Sequence, residues 1–345
     1  MMRSVLENMP VHGGQVGQVM SRFPQAPRPF IDLSTGISPY EYPLSPVEMS
    51  MLTRLPETAD EAALLKAAAA AYGVPTEDMI VAGPGTQLLI ALLPLVLKAE
   101  NVFILGPTYS GHEQAWRNAG VNVSIVTDIQ AFKAAAGQAG AVCVVCNPNN
   151  PDGRCLPVET LLELSKRCAA SGGRLIVDEA YADFEHESAA ASFPQTGLLV
   201  LRSFGKTYGL PGVRLGFLIA SNGTADQMRK LIGDWAVSAL ALSAGRQALS
   251  NQDWLGRTKA HLEQDAQRLA KILKRAGLTI KGNTLLFCLV SSDEAASLWA
   301  FLCGCGIVTR AFPERPTELR FGLPRDSAGW DRLERALQEW SKHVK

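Results

Sequence analysis

The stretch "LLVLRSFGKTYGLPGVRLGF", residues 198–217, decides the fold. Its first four residues are an uninterrupted apolar run, and the glycines and proline that follow are turn signals. A run without polar alternation fits a strand buried on both faces, as in a parallel sheet covered by helices. Lys206 therefore stands just beyond the carboxyl end of a buried strand, with Arg214 eight positions later. In such sheets ligands bind at the carboxyl ends of the strands. Partial desolvation among glycines and aromatics would free the Lys206 amine as a nucleophile, although a flexible loop lysine is the simpler reading.

The same texture extends upstream. Apolar runs occur at "NVFILG" (101–106), "VNVSIV" (121–126), "AVCVVC" (141–146) and "RLIVDE" (174–179), separated by helix-sized intervals such as 157–171. "ADEAALLKAAAAAYG" (59–73) is helix-prone through its alanines, and "TQLLIALLPLVLKA" (86–99) starts a second helix after Gly-Pro-Gly. Alternating strands and helices predict an α/β fold with a mostly parallel central sheet flanked by helices. Downstream, "WLGRTKAHLEQDAQRLAKILKRAG" (254–277) is a long amphipathic helix. Beyond it "LLFCLV", a helix across 295–302, "GIVTRAF", "ELRFGL" and a terminal helix form a smaller α/β domain. The expected organisation is an N-terminal arm and part of the small domain over 1–46, a large domain over 47–252 and a small C-terminal domain over 253–345. The first forty-odd residues read as an extended arm or edge.

Composition narrows the function classes. Of 345 residues 47% are hydrophobic and 19% charged, which matches globular averages and excludes a disordered or fibrous chain. Lys+Arg 33 against Asp+Glu 33 leaves no net field to neutralise phosphate backbones or anionic lipid, so neither nucleic acid nor membrane is an expected partner. The start lacks a signal-type apolar core, the run 88–97 is too short to span a bilayer, and a cytoplasmic location is expected. Seven cysteines, an odd number lying mostly in apolar segments, suit reduced thiols. Cys143 and Cys146 spell C-x-x-C, but no second pair or nearby histidine completes a zinc set, so no metal is expected.

The strand ends supply the candidate site residues. Gly83, Gly85 and Thr86 lie where a strand turns into a helix, which makes either a phosphate cup or an ordinary glycine turn. Tyr109 follows "NVFILG" and can stack on a flat ligand or cap the core. Asn150, in the turn "NPNNPDG" (147–153), can donate to a ligand oxygen or serve the turn alone. Asp178 and Glu179 directly follow a buried run, where a carboxylate needs a cationic or hydrogen-bonding partner, and Tyr181 places a phenol nearby. With Ser203, Lys206 and Arg214 these residues make the set that pyridoxal phosphate requires: anion cup, stacking ring, buried carboxylate and amine.

"NPNNPDG", "VDEAY" (177–181) and "SFGKTYGLPGVRLGF" (203–217) resemble, in order and spacing, the signature of fold-type I pyridoxal-phosphate enzymes of the aspartate aminotransferase superfamily. The resemblance runs from about Ile31 to the end. It implies that Lys206 carries the cofactor, Asp178 pairs with its pyridine nitrogen, and Asn150 and Tyr181 bond its ring hydroxyl oxygen. Gly85, Thr86, Ser203 and Arg214 would hold its phosphate, with Tyr109 stacked on the ring. It also makes Arg320, in "ELRFGL" (318–323), the grip on a substrate α-carboxylate.

Within the superfamily "HGG" (12–14) and "IDLSTGISP" (31–39) look like the branch that decarboxylates L-threonine O-3-phosphate to (R)-1-aminopropan-2-yl phosphate in cobalamin biosynthesis. The alternative is an aminotransferase acting on histidinol phosphate or a related amino acid. A phosphorylated amino-acid substrate and a homodimer follow from the resemblance. Gly36, Arg310, His12 and Arg22 are candidates around the substrate and its phosphate, each also readable as an ordinary arm or surface residue. Two departures from the family pattern stand out: Leu55, in "RLPET" (54–58), where a tyrosine is common, and Asp152, where a threonine is common.

Overall fold

The computed structural model describes residue 10, residues 12–184 and residues 187–343; residues 1–9 of the expected arm lie outside these. In chain order the strands are β1 (Ile31–Leu33), β2 (Ile80–Gly83), β3 (Asn101–Leu105), β4 (Asn122–Val126), β5 (Val142–Cys146) and β6 (Arg174–Asp178). They continue as β7 (Leu198–Ser203), β8 (Gly216–Ile219), β9 (Thr279–Asn283), β10 (Phe287–Ser291), β11 (Ile307–Ala311) and β12 (Glu318–Gly322). The chain divides into two compact units, 41–256 and 1–40 with 257–345.

The larger unit holds a seven-stranded sheet in the order β2-β8-β7-β6-β5-β3-β4. β7, β6, β5, β3 and β4 run parallel, while β8 is antiparallel to both of its neighbours. Being antiparallel to β8 makes β2 parallel to β7, so the carboxyl ends of β2, β3, β5, β6 and β7 and the start of β8 share one edge. That single fact collects residues 83–86, 106–109, 147–150, 178–181, 203–206 and 214 on the same edge. β5 and β6 are buried almost throughout, as expected of strands covered on both faces. β4 departs from the expectation: it is mostly exposed because it is the edge strand.

The core of this unit packs Val102, Ile104, Val142, Val144, Ile176, Leu199 and Leu201 of the sheet against Leu89, Leu93 and Trp116 of its helices. Each such side chain contributes about 1.5–3 kcal/mol relative to exposure. The four-residue helix Phe204–Thr207, which carries Lys206, is too short to be stable alone. It is anchored by Phe204 stacked on Tyr208, with ring centroids 4.6 Å apart, and by Tyr208 stacked on Trp254.

The smaller unit holds a five-stranded sheet in the order β1-β11-β12-β10-β9. The N-terminal segment is more than an arm: it forms the helix Val16–Arg22, and β1 pairs in parallel with β11 at the sheet edge. Val19 and Leu33 are fully buried there. Helices Ala295–Gly304 and Ser327–His343 complete the unit.

Candidate active site

At the end of β2 the helix Thr86–Leu97 begins without a side-chain cap, which leaves its first N–H groups free to bind an anion. Gly85 has φ +85°, and a Cβ there would fall 2.6 Å from Nη2 of Arg214. Only glycine keeps the backbone N–H groups and that guanidinium side by side. Arg214 itself sits in the left-handed region with φ 55°, a cost a non-glycine residue bears at functional positions more often than elsewhere. It is exposed, and its Nη1 donates to the Pro211 carbonyl at 3.2 Å. Thr86 and Ser203 are half-buried beside it in sequence order along the shared edge.

Asp178, the last residue of β6, is 5% exposed. Its Oδ1 accepts the Ala180 N–H at 3.1 Å, and its Oδ2 accepts His112 Nε2 at 2.9 Å. Burial raises the Asp178 carboxyl, but the His112 hydrogen bond and the His112 and Lys206 charges outweigh it and hold the group below its usual range. For His112, fully buried, burial opposes the charge, while the bond to Asp178 and the contribution of Cys146 push the imidazole up to about 10. The two directions agree: each partner favours the charged form of the other. Neither His112 nor Cys146 was a sequence candidate. His112 could have been found, since it lies three positions after Tyr109 and so turns back to the same sheet edge. The histidine missing from the C-x-x-C spacing is thus supplied in space: donor atoms of His112, Cys146 and Asp178 lie within 4.8 Å of one another. Here, though, His112 and Asp178 bond each other.

Lys206 Nζ lies 4.7 Å from the centre of the Tyr181 ring, and its charge acts on Asp178. Tyr109 caps the helix Ser110–Asn118, sends its hydroxyl to Gln87 Oε1 at 2.6 Å, and meets the His112 ring edge-on. Burial, then the Asp178 charge, raises its phenol. The turn 147–153 is tied to the loop that carries Tyr109: Asn149 accepts Thr108 Oγ1 at 2.6 Å and donates to the Pro107 carbonyl at 3.0 Å. Asp152 now has a role, because its Oδ1 accepts both Asn149 Nδ2 and the Arg154 N–H, closing the turn from which half-buried Asn150 projects. The larger unit therefore gathers Gly85, Thr86, Tyr109, Asn150, Asp178, Tyr181, Ser203, Lys206 and Arg214 along one edge.

The smaller unit gathers most of the remaining candidates. Arg320 on β12 is buried, donates from Nη2 to the Ser34 carbonyl at 3.0 Å, and stands over the Phe287 ring. Arg310 on β11 is its direct cross-strand partner and donates to the Pro10 carbonyl at 2.9 Å. Burial, then the like charge of Arg320, pushes the Arg310 guanidinium down to about 10. "HGG" joins them through Ser34: Gly14 N–H donates to its Oγ at 2.8 Å, and a Cβ on Gly13 would fall 2.4 Å from its carbonyl oxygen. Gly36 is buried two residues on, whereas His12 and Arg22 are exposed. Arg22 ends its helix.

Comparison with known proteins places this architecture. A family profile described as "Aminotransferase class I and II" matches residues 31–335. A threonine-phosphate decarboxylase from Sinorhizobium sp is 40% identical over 95% of this chain and 97% of its own. A histidinol-phosphate aminotransferase from Oleidesulfovibrio alaskensis is 32% identical over 72% of this chain and 69% of its own. Among solved structures, the histidinol-phosphate aminotransferase from Sinorhizobium meliloti in complex with pyridoxal 5'-phosphate superposes with a TM-score of 0.80 at 21% identity, covering 99% of this chain and 97% of that one. With the profile spanning both units and the strand-end residues collected as described, the chain belongs to the class I and II aminotransferase family.

Proposed function

We propose that the protein is a pyridoxal-phosphate-dependent decarboxylase of L-threonine O-3-phosphate, yielding (R)-1-aminopropan-2-yl phosphate for cobalamin biosynthesis. The observation that carries the substrate reading is the pair Arg310 and Arg320, directly opposite on antiparallel strands. Like charges placed so destabilise a sheet. A substrate bearing both a phosphate and a carboxylate offsets that repulsion, and Arg320 would take the carboxylate and Arg310 the phosphate. Relatives support the reaction class: the decarboxylase match is closer and covers more of the chain than the aminotransferase match.

The residues present fit the cofactor. The uncapped helix start at Thr86, the Gly85 backbone and Arg214 suit its phosphate. Asp178, kept ionised by His112, suits a protonated ring nitrogen. Tyr109 is placed for the ring face, Asn150 and Tyr181 for the ring oxygen, and Ser203 for the phosphate. When bound, the cofactor supplies an electron sink for the pair released when a bond at the substrate α-carbon breaks. Lys206 Nζ would hold the cofactor through its aldehyde, and its amine would carry the proton returned to the substrate α-carbon. Arg320 and Arg310 would hold the two anionic groups of the substrate.

A homodimer fits the exposed apolar stretch of Val47, Met49, Leu52 and Leu55, each more than half exposed. Leu55, the departure from the family tyrosine, lies within it. Five of the seven cysteines are buried thiols, which supports a reducing compartment such as the cytoplasm.

Three outcomes test this reading. Purified protein with pyridoxal phosphate and L-threonine O-3-phosphate should release carbon dioxide without any 2-oxo acid, and Lys206→Ala should release none. Glutamate formation from 2-oxoglutarate and histidinol phosphate instead would assign the aminotransferase activity. Arg310→Gln should raise KM for the phosphorylated substrate roughly 10- to 100-fold, the loss of a charge-assisted hydrogen bond, with cofactor affinity unchanged. An unaltered KM would remove Arg310 from substrate recognition. Sedimentation should give a dimer for the native chain and a monomer for Met49→Asp with Leu55→Asp.

A further inference from the structure

Beneath the edge that carries Lys206 lies a buried network that the chemistry described so far does not use. β6 and β7 are parallel neighbours, with Asp178 in register with Leu201 and the Glu179 N–H donating to the Leu201 carbonyl at 2.9 Å. One residue further along, Glu179 and Arg202 lie side by side, and because side chains alternate they project to the face opposite Asp178. There Arg202 Nη1 donates to Glu179 Oε2 at 2.8 Å and to Ser188 Oγ at 3.1 Å. Arg202 Nη2 donates to Asp183 Oδ1, on the turn Ala182–Phe184. The other oxygen of Asp183 accepts the hydroxyl of Thr207, the residue after Lys206. The guanidinium also stands over the Tyr72 ring at 4.6 Å.

Arg202 and Asp183 thus tie three segments together: the strand end that bears Asp178, the strand end that leads to Lys206, and the short helix that holds Lys206. The side chains of Arg202, Glu179 and Asp183 are each buried, and two carboxylates against one guanidinium leave one negative charge in excess. Burial disfavours the Arg202 charge, but Asp183 and Glu179 together hold the guanidinium above its ordinary range. Two buried carboxylates are an expensive way to stabilise a core, since removing one partner of such a set costs more than the set contributes over apolar packing. What the network does provide is geometry.

We infer that Asp183 and Thr207 are positioning residues for Lys206: the Thr207 hydroxyl, held by Asp183 and through it by Arg202, fixes the Lys206 amine relative to Asp178 and Tyr181. This rests on the reading of Lys206 as the residue that captures pyridoxal phosphate. A reactive amine displaced by about 1 Å can lose up to a hundredfold in rate, so the tie is worth a measurable factor. Thr207→Val keeps the shape of the side chain and removes only the hydroxyl.

The test uses the full chain freed of cofactor. Capture of pyridoxal phosphate is followed by visible absorbance, and the absorbance of the loaded protein is then titrated with pH. Thermal unfolding of the cofactor-free protein is measured alongside. Thr207→Val should slow capture about 10- to 100-fold and displace the pH midpoint, with the unfolding temperature close to native. Thr207→Ser, which restores the hydroxyl, should recover both. Asp183→Asn, which keeps an oxygen acceptor for Thr207 but not the charge on Arg202, should fall between the native protein and Thr207→Val. Native capture rate and midpoint in Thr207→Val would overturn the inference, and so would a slowed Thr207→Val that Thr207→Ser fails to recover, since packing of the methyl would then be responsible. Native protein that captures no pyridoxal phosphate would overturn the functional reading itself, an outcome distinct from both.

Discussion

A carboxylate buried at the end of a β-strand is the constraint around which the larger unit is arranged. Asp178 is almost wholly removed from water, and an unpaired charge there would cost several kcal/mol. His112 meets it from the helix Ser110–Asn118, and each group holds the other charged. The pH sense of the pair follows from the two directions. The Asp178 contribution to stability is present above the ordinary carboxylate value of 3.8 and is lost as pH falls through its lowered folded value. The His112 contribution is complete below 6.5 and is lost as pH rises through about 10. Between those limits the Asp178–His112 pair keeps one charge pattern.

Topology turns that local pairing into a site. The order β6-β5-β3-β4 means the chain steps outward from β3 to β4 and then returns to the other side of β3, opening a crevice between the segments that follow β3 and β5. Tyr109 and His112 stand on one side of it and the turn 147–153 on the other, joined by Asn149 to the Thr108 hydroxyl and the Pro107 carbonyl. Antiparallel β8 brings Arg214 to the same edge as the helix start at Thr86. Anion cradle, ring-binding groups and amine thus come from six different segments that only the sheet unites.

Much of this was legible because a buried parallel strand leaves a plain trace. "AVCVVC", "RLIVDE" and "LLVLRS" each carry an uninterrupted apolar run since both faces are covered, and the residues after each run stand on the edge that gathers the candidate side chains. Partners distant in sequence left no such trace. His112 sits 66 positions before Asp178, and its neighbour Cys146 looked like any core thiol. β9 escaped notice because its residues alternate between half-buried and exposed, and the helix Val16–Arg22 because only Val19 among its residues is buried. Asp152 read as an unexplained departure until its carboxylate was seen to close the turn.

The most direct measurement is the protonation state of His112 itself, by nitrogen NMR of histidine-labelled protein across pH, with His112→Asn to assign one resonance among the five histidines. The pairing with Asp178 predicts a doubly protonated ring that persists well above pH 6.5 and titrates near about 10. A neutral single tautomer at pH 7 would contradict it, and with it the fixed charge at the base of the site.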